Sequence, residues 1–278
     1  MTGRQQPAHV QVALLSDFGQ ESFYVGIMKA VIHHAAPGSA VVDITHDISP
    51  FAIDQASFIL KTIVPFLPAG TVFVAVVDPQ VGGSRENRIF QIEERYLLAP
   101  DNGLVTDVSG AFRIDASWRI DEVTILPYRI HPGVGSTFLG RDVFAPAAGA
   151  IACGISPAEL GRPAETAADV LTVPIVECAK HRIEGYGRYI DRFGNILTGI
   201  TGDQLEDVFG DDAFNCVTVH VGERSIRGVR HCYADEPRGT LMVILNSWNI
   251  LEVSVSQGRA DEMLSVSNPC DLHIILGR

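Results

Sequence analysis

The chain has 278 residues, which at about 150 residues per domain suggests two domains. Apolar residues make up 46% and charged residues 19%, so the chain can bury a sizeable core and is not a disordered sequence. The net charge of −12 disfavours general binding to nucleic acid, because an acidic surface repels the phosphate backbone.

The first half alternates strand-like and helix-like segments. The apolar run at 71–77 is continuous, as expected for a parallel strand buried on both faces. The predicted strands cover residues 10–15, 40–44, 71–77, 88–93 and 96–99, and the predicted helices cover residues 24–34, 53–64 and 141–153. This order predicts an α/β domain with a largely parallel sheet over residues 1–165.

The pattern changes after residues 161–172, which are rich in Pro, Ala, Thr and acidic residues and which we interpret as a linker. Short β-rich runs separated by Gly, Asp and Asn turns follow at 175–178, 184–190, 216–221, 240–245 and 251–255, with one possible short helix at 202–208. This pattern predicts a smaller all-β domain over residues 173–278.

Neither a membrane segment nor a disulfide framework is predicted. No apolar run reaches the roughly 18 residues of a membrane span, and polar residues 1–9 lack the apolar middle of a signal peptide. The five cysteines are scattered without CxxC spacing, and no HxxxH pair suggests a metal site. We therefore expect a cytoplasmic protein with reduced thiols and no bound metal.

Acidic side chains follow three of the predicted strands. Asp17 follows the first, Asp78 follows the run at 71–77, and Asp101 follows the run at 96–99. In open α/β sheets, ligands bind beyond the carboxyl ends of the strands. A single Asp at such a place is often only a turn former or a helix cap. Their shared position at one sheet edge nevertheless favours a ligand pocket.

The densest polar segment runs from Asp78 to Arg85 and contains Gly82 and Gly83. The glycines allow a tight loop, across which Asp78 and Arg85 could face each other, either as part of a site or as an ion pair that closes the loop. The spacing matches neither a Walker A nor a GxGxxG phosphate loop.

In the β-rich half, the amide of Asn195 could donate to and accept from an adenine edge, although an Asn in a loop is usually a turn residue. Phe51 and Phe193 could stack on a base, although core packing is the commoner role of a single Phe. The residues alone thus predict a two-domain protein with an acidic pocket for a cationic or nucleoside ligand.

Nearly the whole chain resembles the S-adenosyl-L-methionine (SAM) hydroxide adenosyltransferase family, the hydrolytic relatives of fluorinase and chlorinase. Many ordered motifs carry the resemblance. They are Ser16-Asp17-Phe18-Gly19, residues 24–29, Asp43-Ile44-Thr45-His46, Val77-Asp78-Pro79, residues 99–104, residues 140–146, Phe193-Gly194-Asn195 and Asn246-Ser247.

The resemblance implies a reaction in which water attacks the ribose 5′ carbon of SAM and releases adenosine and L-methionine. In the family, an Asp–Arg–His set handles the water, and Asp78 and Arg85 match its first two positions. The implied binding residues are Asp17 for the ribose hydroxyls, Phe51 and Phe193 beside the nucleoside, Asn195 for the adenine and Ser247 for the methionine end.

Two departures from the family pattern concern catalysis and substrate binding. Leu139 stands where the family has its His, and leucine can neither donate nor accept a proton. Ser22 stands where the family usually has an Asp near the amino-acid end of SAM, so the grip on the ammonium group is weakened there. Asp78 itself favours water over an incoming halide, because a carboxylate repels an anion at close range.

The predicted architecture is thus an α/β domain followed by a β-barrel-like domain. The resemblance further implies a homotrimer with SAM sites at the subunit interfaces and no cofactor, and the net charge and hydropathy predict no nucleic-acid or membrane partner. Two alternatives stay open. Leu139 and Ser22 are compatible with a SAM- or adenosine-binding protein whose catalysis has weakened, and the loss of the His is compatible with a SAM-dependent halogenase. A methyltransferase is not supported by the glycine pattern after the first strand.

Overall fold

The computed structural model describes residues 10–131, 133, 135, 137–165, 171, 176–210, 213–268, 270 and 272–277. The chain divides into two compact units, Met1–Leu171 and Thr172–Arg278. Half of the predicted linker lies outside the described residues, as do the polar N-terminal residues 1–9.

The first unit is an α/β unit. Its strands are β1 (Gln11–Ser16), β2 (Ala40–Thr45), β3 (Val72–Val76), β4 (Asn87–Ile92), β5 (Arg95–Pro100), β6 (Ile114–Ile120) and β7 (Gly161–Ala164). Its helices are α1 (Phe23–Ala35), α2 (Ile53–Ile63), α3 (Thr106–Ala111), α4 (Ala145–Ala152) and α5 (Pro157–Leu160), with short 3₁₀ turns at Val64–Phe66 and Leu126–Tyr128.

The seven strands form one sheet in the order β2-β1-β3-β5-β4-β6-β7. β2, β1, β3 and β5 are mutually parallel, and β4, β6 and β7 extend the sheet in antiparallel pairing. Apolar clusters cover both faces, with α1 and α4 packed on one side and α2 and α3 on the other. The predicted α/β domain built on parallel strands is confirmed.

The linker interpretation is wrong for its first four residues, because Gly161–Ala164 pairs with β6 as strand β7. A Cβ atom on Gly161 would lie 2.2 Å from the carbonyl oxygen of Arg119, so only glycine fits this approach. Pro163 is accommodated because β7 lies at the edge of the sheet. The Gly and Pro residues of this segment therefore led to the prediction of a linker where a short edge strand forms.

The helix predicted over 141–153 is also modified at its start. Residues Gly140–Phe144 form a π-helical turn, and regular α-helix begins at Ala145. Gly140 packs so closely that a Cβ atom there would lie 3.0 Å from Met28 Sδ and from the Phe138 ring. Such π turns are frequent at functional sites.

The second unit is all-β apart from short helices. Its strands are β8 (Glu177–Ala179), β9 (Arg182–Ile190), β10 (Ile196–Thr201), β11 (Thr218–Val221), β12 (Arg224–Arg227), β13 (Leu241–Leu245), β14 (Ile250–Val255) and β15 (His273–Gly277). Its helices are α6 (Gly202–Phe209), α7 (Ala213–Cys216) and α8 (Ala260–Leu264), with a 3₁₀ turn at Tyr233–Asp235.

These strands pair antiparallel in the order β12-β11-β15-β9-β10-β14-β13, and β8 adds to β9. An isolated bridge joins Arg230, just after β12, to Ile244 on β13, which brings the two ends of the sheet together. The interior is filled by Ile, Val and Leu side chains. The predicted barrel-like all-β architecture is confirmed.

Candidate active site

The strand order of the first unit places the carboxyl ends of four parallel strands side by side. β1 lies between β2 and β3, and β5 lies beyond β3. Asp17 follows β1, Asp78 follows β3 and Asp101 follows β5, so these acids occupy one edge of the sheet. This is the edge at which open α/β sheets bind ligands.

Asp78 and Arg85 contact each other across the loop between β3 and β4. Arg85 Nε donates to Asp78 Oδ1 at 2.8 Å, and Arg85 Nη2 forms an ion pair with Asp78 Oδ2. Asp78 Oδ1 also accepts from the backbone N–H of Gln80 at 3.2 Å. The contact holds the carboxylate ionised and fixed in direction, since a planar guanidinium binds both of its oxygens.

Arg85 is itself held on the side away from Asp78. Its Nη1 donates to Asn87 Oδ1 at 2.7 Å. Burial lowers the pKa of Arg85 to about 10, against the opposing effect of the nearby Asp101 carboxylate. The guanidinium therefore remains charged at neutral pH. Asn87 was not predicted, because a single Asn two residues after an Arg carries no distinguishing signal.

Arg85 lies between two cavities. One, of about 190 Å³, is lined by Asp78, Asp101 and Asn102, and the other, of about 380 Å³, is lined by Glu86, Asn87, Glu122 and Leu139 among others. Leu139 is buried in the apolar cluster of the first unit and presents only carbon atoms to the second cavity. The position implied for a His is therefore close to Arg85 but chemically inert.

Asp17 holds Phe51 in an unusual backbone conformation. Asp17 Oδ2 accepts from the backbone N–H of Phe51 at 3.0 Å, and Phe51 has a φ of 70°. A left-handed conformation is unfavourable for a bulky side chain, so the hydrogen bond offsets part of that cost. The result is a Phe51 ring that is 67% exposed at the sheet edge, available to an aromatic ligand.

A partly buried network connects the ends of β1 and β2. Ser16 Oγ lies 2.7 Å from His46 Nδ1, and His46 Nε2 lies 3.1 Å from Asp43 Oδ1. Lys29 Nζ donates to Asp43 Oδ2 at 2.6 Å. Because a carboxylate only accepts, His46 Nε2 donates to Asp43. Asp43 and His46 belong to the Asp43-Ile44-Thr45-His46 motif, which carries part of the family resemblance. The sequence alone, however, did not predict what these two residues do.

Ser22 forms the N-cap of α1, where its Oγ accepts from the backbone N–H of Tyr24 at 3.3 Å. An Asp would serve the same cap, because both residue types are favoured N-caps. The Ser at this position therefore preserves the helix start while removing a negative charge.

The second unit contains a cleft of about 660 Å³ lined by Phe193, Asn195 and Ser247, the three binding residues implied for this half. Phe193 is 73% exposed in the turn between β9 and β10. Asn195 is buried, and its Nδ2 donates to Asp191 Oδ2 at 3.1 Å. That bond leaves Oδ1 of the Asn195 amide to accept a hydrogen bond, which suits the amino group of an adenine.

The structure thus gathers the implied residues into two groups, one in each unit. Asp17, Phe51, Asp78, Arg85 and Leu139 belong to the first unit. Prediction from the sequence missed Tyr233, Trp248 and Glu252, which also line the cleft of the second unit. The available signal was Glu252, an acid within a mostly apolar strand.

Among the described residues, no helix is long and apolar enough to cross a membrane. The described residues also contain no group of three His, Cys, Asp or Glu side chains arranged to hold a metal ion. All five cysteines lie within the described part of the chain and are free thiols.

Two family models match the chain. The model of the SAM hydroxide adenosyltransferase N-terminal domain matches residues 12–161, and that of the SAM hydroxide adenosyltransferase C-terminal domain matches residues 188–271.

Individual relatives match most of the chain. The (R)-S-adenosyl-L-methionine hydrolase of Thermus thermophilus is 35% identical over 95% of this chain and 99% of its own length. The fluorinase of Actinopolyspora mzabensis is 24% identical over 70% of this chain and 73% of its own length. A crystal structure of an uncharacterized conserved protein from Thermotoga maritima superposes with a TM-score of 0.88 at 31% identity, covering 96% of this chain and 100% of that one.

Proposed function

This chain belongs to the SAM hydroxide adenosyltransferase family, and from that premise we propose that it hydrolyses SAM to adenosine and L-methionine. The observation that carries the proposal is the Asp78–Arg85 pair, buried at the ligand-binding edge of a chain whose full-length relatives are named as SAM hydrolases.

In the proposed reaction, a water oxygen attacks the ribose 5′ carbon in line with the sulfur. The C5′–S bond breaks with its electron pair going to sulfur, which becomes the neutral thioether of methionine. The sulfonium is already a good leaving group, so the protein does not need to protonate it. Its remaining tasks are to position the water and accept its proton, and alignment alone can remove roughly 7–11 kcal/mol of a barrier in favourable cases.

Asp78 is the proposed proton acceptor and Arg85 its positioning partner. The two hydrogen bonds and the ion pair on Asp78 fix the carboxylate, and the charged Arg85 keeps it ionised. A negative Asp78 also distinguishes water from halide. Two like charges about 4 Å apart at an effective dielectric of about 20 repel by roughly 4 kcal/mol. Halogenation is therefore disfavoured at this site.

The remaining implied residues bind the substrate in this proposal. Asp17 contacts the ribose hydroxyls, Phe51 and Phe193 flank the base, Asn195 accepts from the adenine amino group and Ser247 contacts the methionine end. The exposed rings of Phe51 and Phe193, and the free acceptor of Asn195, support these assignments. No cofactor is needed, because SAM itself is the reactant.

The (R) prefix in the name of the Thermus thermophilus relative refers to the configuration at sulfur. We propose that this chain likewise prefers the (R) form of the sulfonium. In-line attack requires one orientation of the C5′–S bond, and inverting the sulfur exchanges the places of the methyl group and the methionyl chain. A site that holds both the adenine and the amino acid therefore distinguishes the two epimers.

The proposed assembly is a homotrimer in which the first unit of one protomer meets the second unit of its neighbour. The division of the implied binding residues between two units supports it. Light scattering after size-exclusion chromatography tests it directly, with a mass of three 30.0 kDa chains expected. A monomer mass would contradict it. A cytoplasmic location likewise remains a prediction, which the free thiols support.

The alternative function is binding of SAM or adenosine with weakened turnover, which the buried leucine at position 139 favours. One experiment separates the two. Purified protein is incubated with each SAM epimer in ¹⁸O-labelled water, and the products are identified by mass spectrometry. We expect adenosine with ¹⁸O at the 5′ hydroxyl, unlabelled methionine, and faster release from the (R) epimer. Absence of adenosine above background would overturn the hydrolase proposal, and saturable binding without turnover would support the alternative.

A further inference from the structure

The cleft of the second unit is acidic as well as aromatic. Its described lining residues include two carboxylates, Asp191 and Glu252, one histidine, His231, and no Lys or Arg. Asp191 accepts from the backbone N–H groups of Phe193 and Asn195 at 2.8 and 2.9 Å and from the Asn195 amide. Arg259 also lies close enough to interact electrostatically with Asp191. Glu252 is the carboxylate that lacks such a countercharge.

Glu252 lies on β14 and is only 2% exposed. Its Oε1 accepts from Tyr233 Oη at 2.8 Å and from Ser254 Oγ at 2.7 Å, and its Oε2 accepts from Asn246 Nδ2 at 3.1 Å. All three donors are neutral, and within the described part of the chain no Lys, Arg or His forms an ion pair with it. Burying a carboxylate is costly unless a positive charge compensates it.

The partners of Glu252 all donate hydrogen bonds to it. Burial, and then the hydrogen bond to Glu252, raise the pKa of Tyr233, so its hydroxyl stays a donor across the physiological range. A carboxylate has about four lone-pair positions, and the three donors leave one on Oε2. That position suits an N–H donor of a ligand in the cleft.

The substrate proposed above carries two positive groups, the sulfonium and the α-ammonium of the methionyl part. A sulfonium has no N–H to donate, whereas an ammonium has three. Asn246, which binds Glu252, immediately precedes Ser247, the residue assigned to the methionine end. Ser22, at the family's usual acidic position, is neutral and its Oγ caps α1. The α-ammonium therefore needs a negative partner elsewhere.

We propose that Glu252 binds the α-ammonium group of the methionyl part of the substrate and so selects amino-acid-bearing nucleosides. The inference rests on the proposed function for the identity of the ligand. It assigns Glu252 a role in specificity and no role in the chemical step.

The test compares three ligands by titration calorimetry on wild type and on Glu252→Gln. S-Adenosylhomocysteine has the ammonium but no sulfonium, so it is not hydrolysed and has no sulfur epimers. Its desamino analogue lacks only the ammonium, and 5′-methylthioadenosine lacks the whole amino-acid end. Gln has nearly the same shape and can still accept from Asn246, while its amide can donate to the Tyr233 and Ser254 hydroxyls. Exposed Glu206 on α6 gives the matched charge control, Glu206→Gln.

We expect Glu252→Gln to weaken S-adenosylhomocysteine binding by about 10- to 100-fold, the range of a hydrogen bond between charged groups. Binding of the desamino analogue and of 5′-methylthioadenosine should change by less than about twofold, as should all binding to Glu206→Gln. Removing the carboxylate and the ammonium together should thus weaken binding no more than removing either one alone. This non-additivity identifies a direct contact between the two groups.

An equal loss for all three ligands would assign Glu252 to the shape of the cleft and overturn the proposal. Unchanged binding of S-adenosylhomocysteine would also overturn it. If Glu252→Gln does not fold, the wild-type protein still provides a test. Equal wild-type affinities for S-adenosylhomocysteine and its desamino analogue would show that the ammonium is not recognised and would overturn the proposal. Failure of the hydrolase proposal has a different signature: amino-acid-selective binding would persist while SAM yields no adenosine.

Discussion

The Ser16 hydroxyl oxygen lies 2.7 Å from Nδ1 of His46, and both side chains are 1% exposed. This contact joins the carboxyl ends of two neighbouring parallel strands immediately before Asp17. Ser16 Oγ also accepts from the backbone N–H of Phe18 at 3.3 Å, and the Gly19 N–H donates to the His46 carbonyl at 2.8 Å. The loop that carries Asp17 is therefore held from both sides by His46.

Replacing His46 should destabilise the first unit. In His46→Ala the buried Ser16 hydroxyl keeps the Phe18 N–H but loses its side-chain partner, and loss of a partner by a buried polar group costs about 1–3 kcal/mol. We expect the free energy of unfolding, measured by chemical denaturation, to fall by that amount, and KM for SAM to rise because Asp17 is less well positioned. His33→Ala, on the exposed face of α1, is the control and should leave both unchanged. A His46→Ala variant as stable as wild type would show that the network contributes little.

The same network should give the protein an acid-sensitive component. Desolvation raises the pKa of Asp43, but hydrogen bonds from Lys29 and His46 together lower it below its ordinary value of 3.8. As the pH falls through 3.8, the unfolded chain therefore takes up a proton before the folded chain does, and stability is lost. Melting temperatures of wild type and Asp43→Asn should differ most above this range and converge below it. A difference that is constant with pH would contradict this assignment.

Neutralising Asp78 should separate catalysis from binding. Asp78→Asn removes the proposed proton acceptor, and loss of a general acid or base typically lowers a rate by ~10²–10⁴. Steady-state adenosine release should show this fall in kcat. Adenosine affinity should be retained, since Asp17 and the cleft of the second unit are unaltered. Arg85 also loses its ion-pair partner, so circular dichroism must first confirm that the variant is folded. A folded Asp78→Asn enzyme with normal kcat would exclude Asp78 from proton transfer.

Introducing the missing imidazole tests what position 139 contributes. Leu139 lines the cavity that Arg85 also lines, so Leu139→His adds a titratable group beside Arg85. We expect kcat to rise by roughly tenfold or more, a part of the ~10²–10⁴ typical of general acid/base catalysis. Stability should fall, because a polar ring enters an apolar cluster. Leu139→Gln is polar but does not titrate, and it should lose stability without gaining rate. Equal kcat values for Leu139→His and Leu139→Gln would mean that a titratable group at position 139 does not speed up the reaction.

The part of the candidate site that could be predicted consists of residues that directly follow strands with a clear apolar pattern in the sequence. Asp17 and Asp78 end two strands whose apolar runs are clear in the sequence, and parallel pairing of β1 with β3 brings them to one edge. The contact between Asp78 and Arg85 was one of two readings of a glycine-containing loop, and the observed geometry serves both, because the pair closes the loop and lines a cavity.

Other features depend on contacts between residues distant in sequence and could not be predicted. The link between Ser16 and His46 spans two strands and is decided by strand order. Glu252 is noticeable in the sequence as an acid in a mostly apolar strand, but its role depends on Tyr233 and Asn246, which bind it in the fold. Gly161 and Pro163 led to the prediction of a linker where the structure has strand β7. Glycine and proline are typical of linkers, but glycine is also required where two backbones approach closely, as at Gly161.

The edge strand β7 has a consequence for how copies of this protein meet. An open sheet edge can template pairing with another chain, which leads to aggregation. β7 is only four residues long, contains a proline that donates no backbone hydrogen bond, and exposes the guanidinium of Arg162. These properties make it a poor template for a further strand. We therefore expect little association of protomers by strand addition at this edge of the sheet.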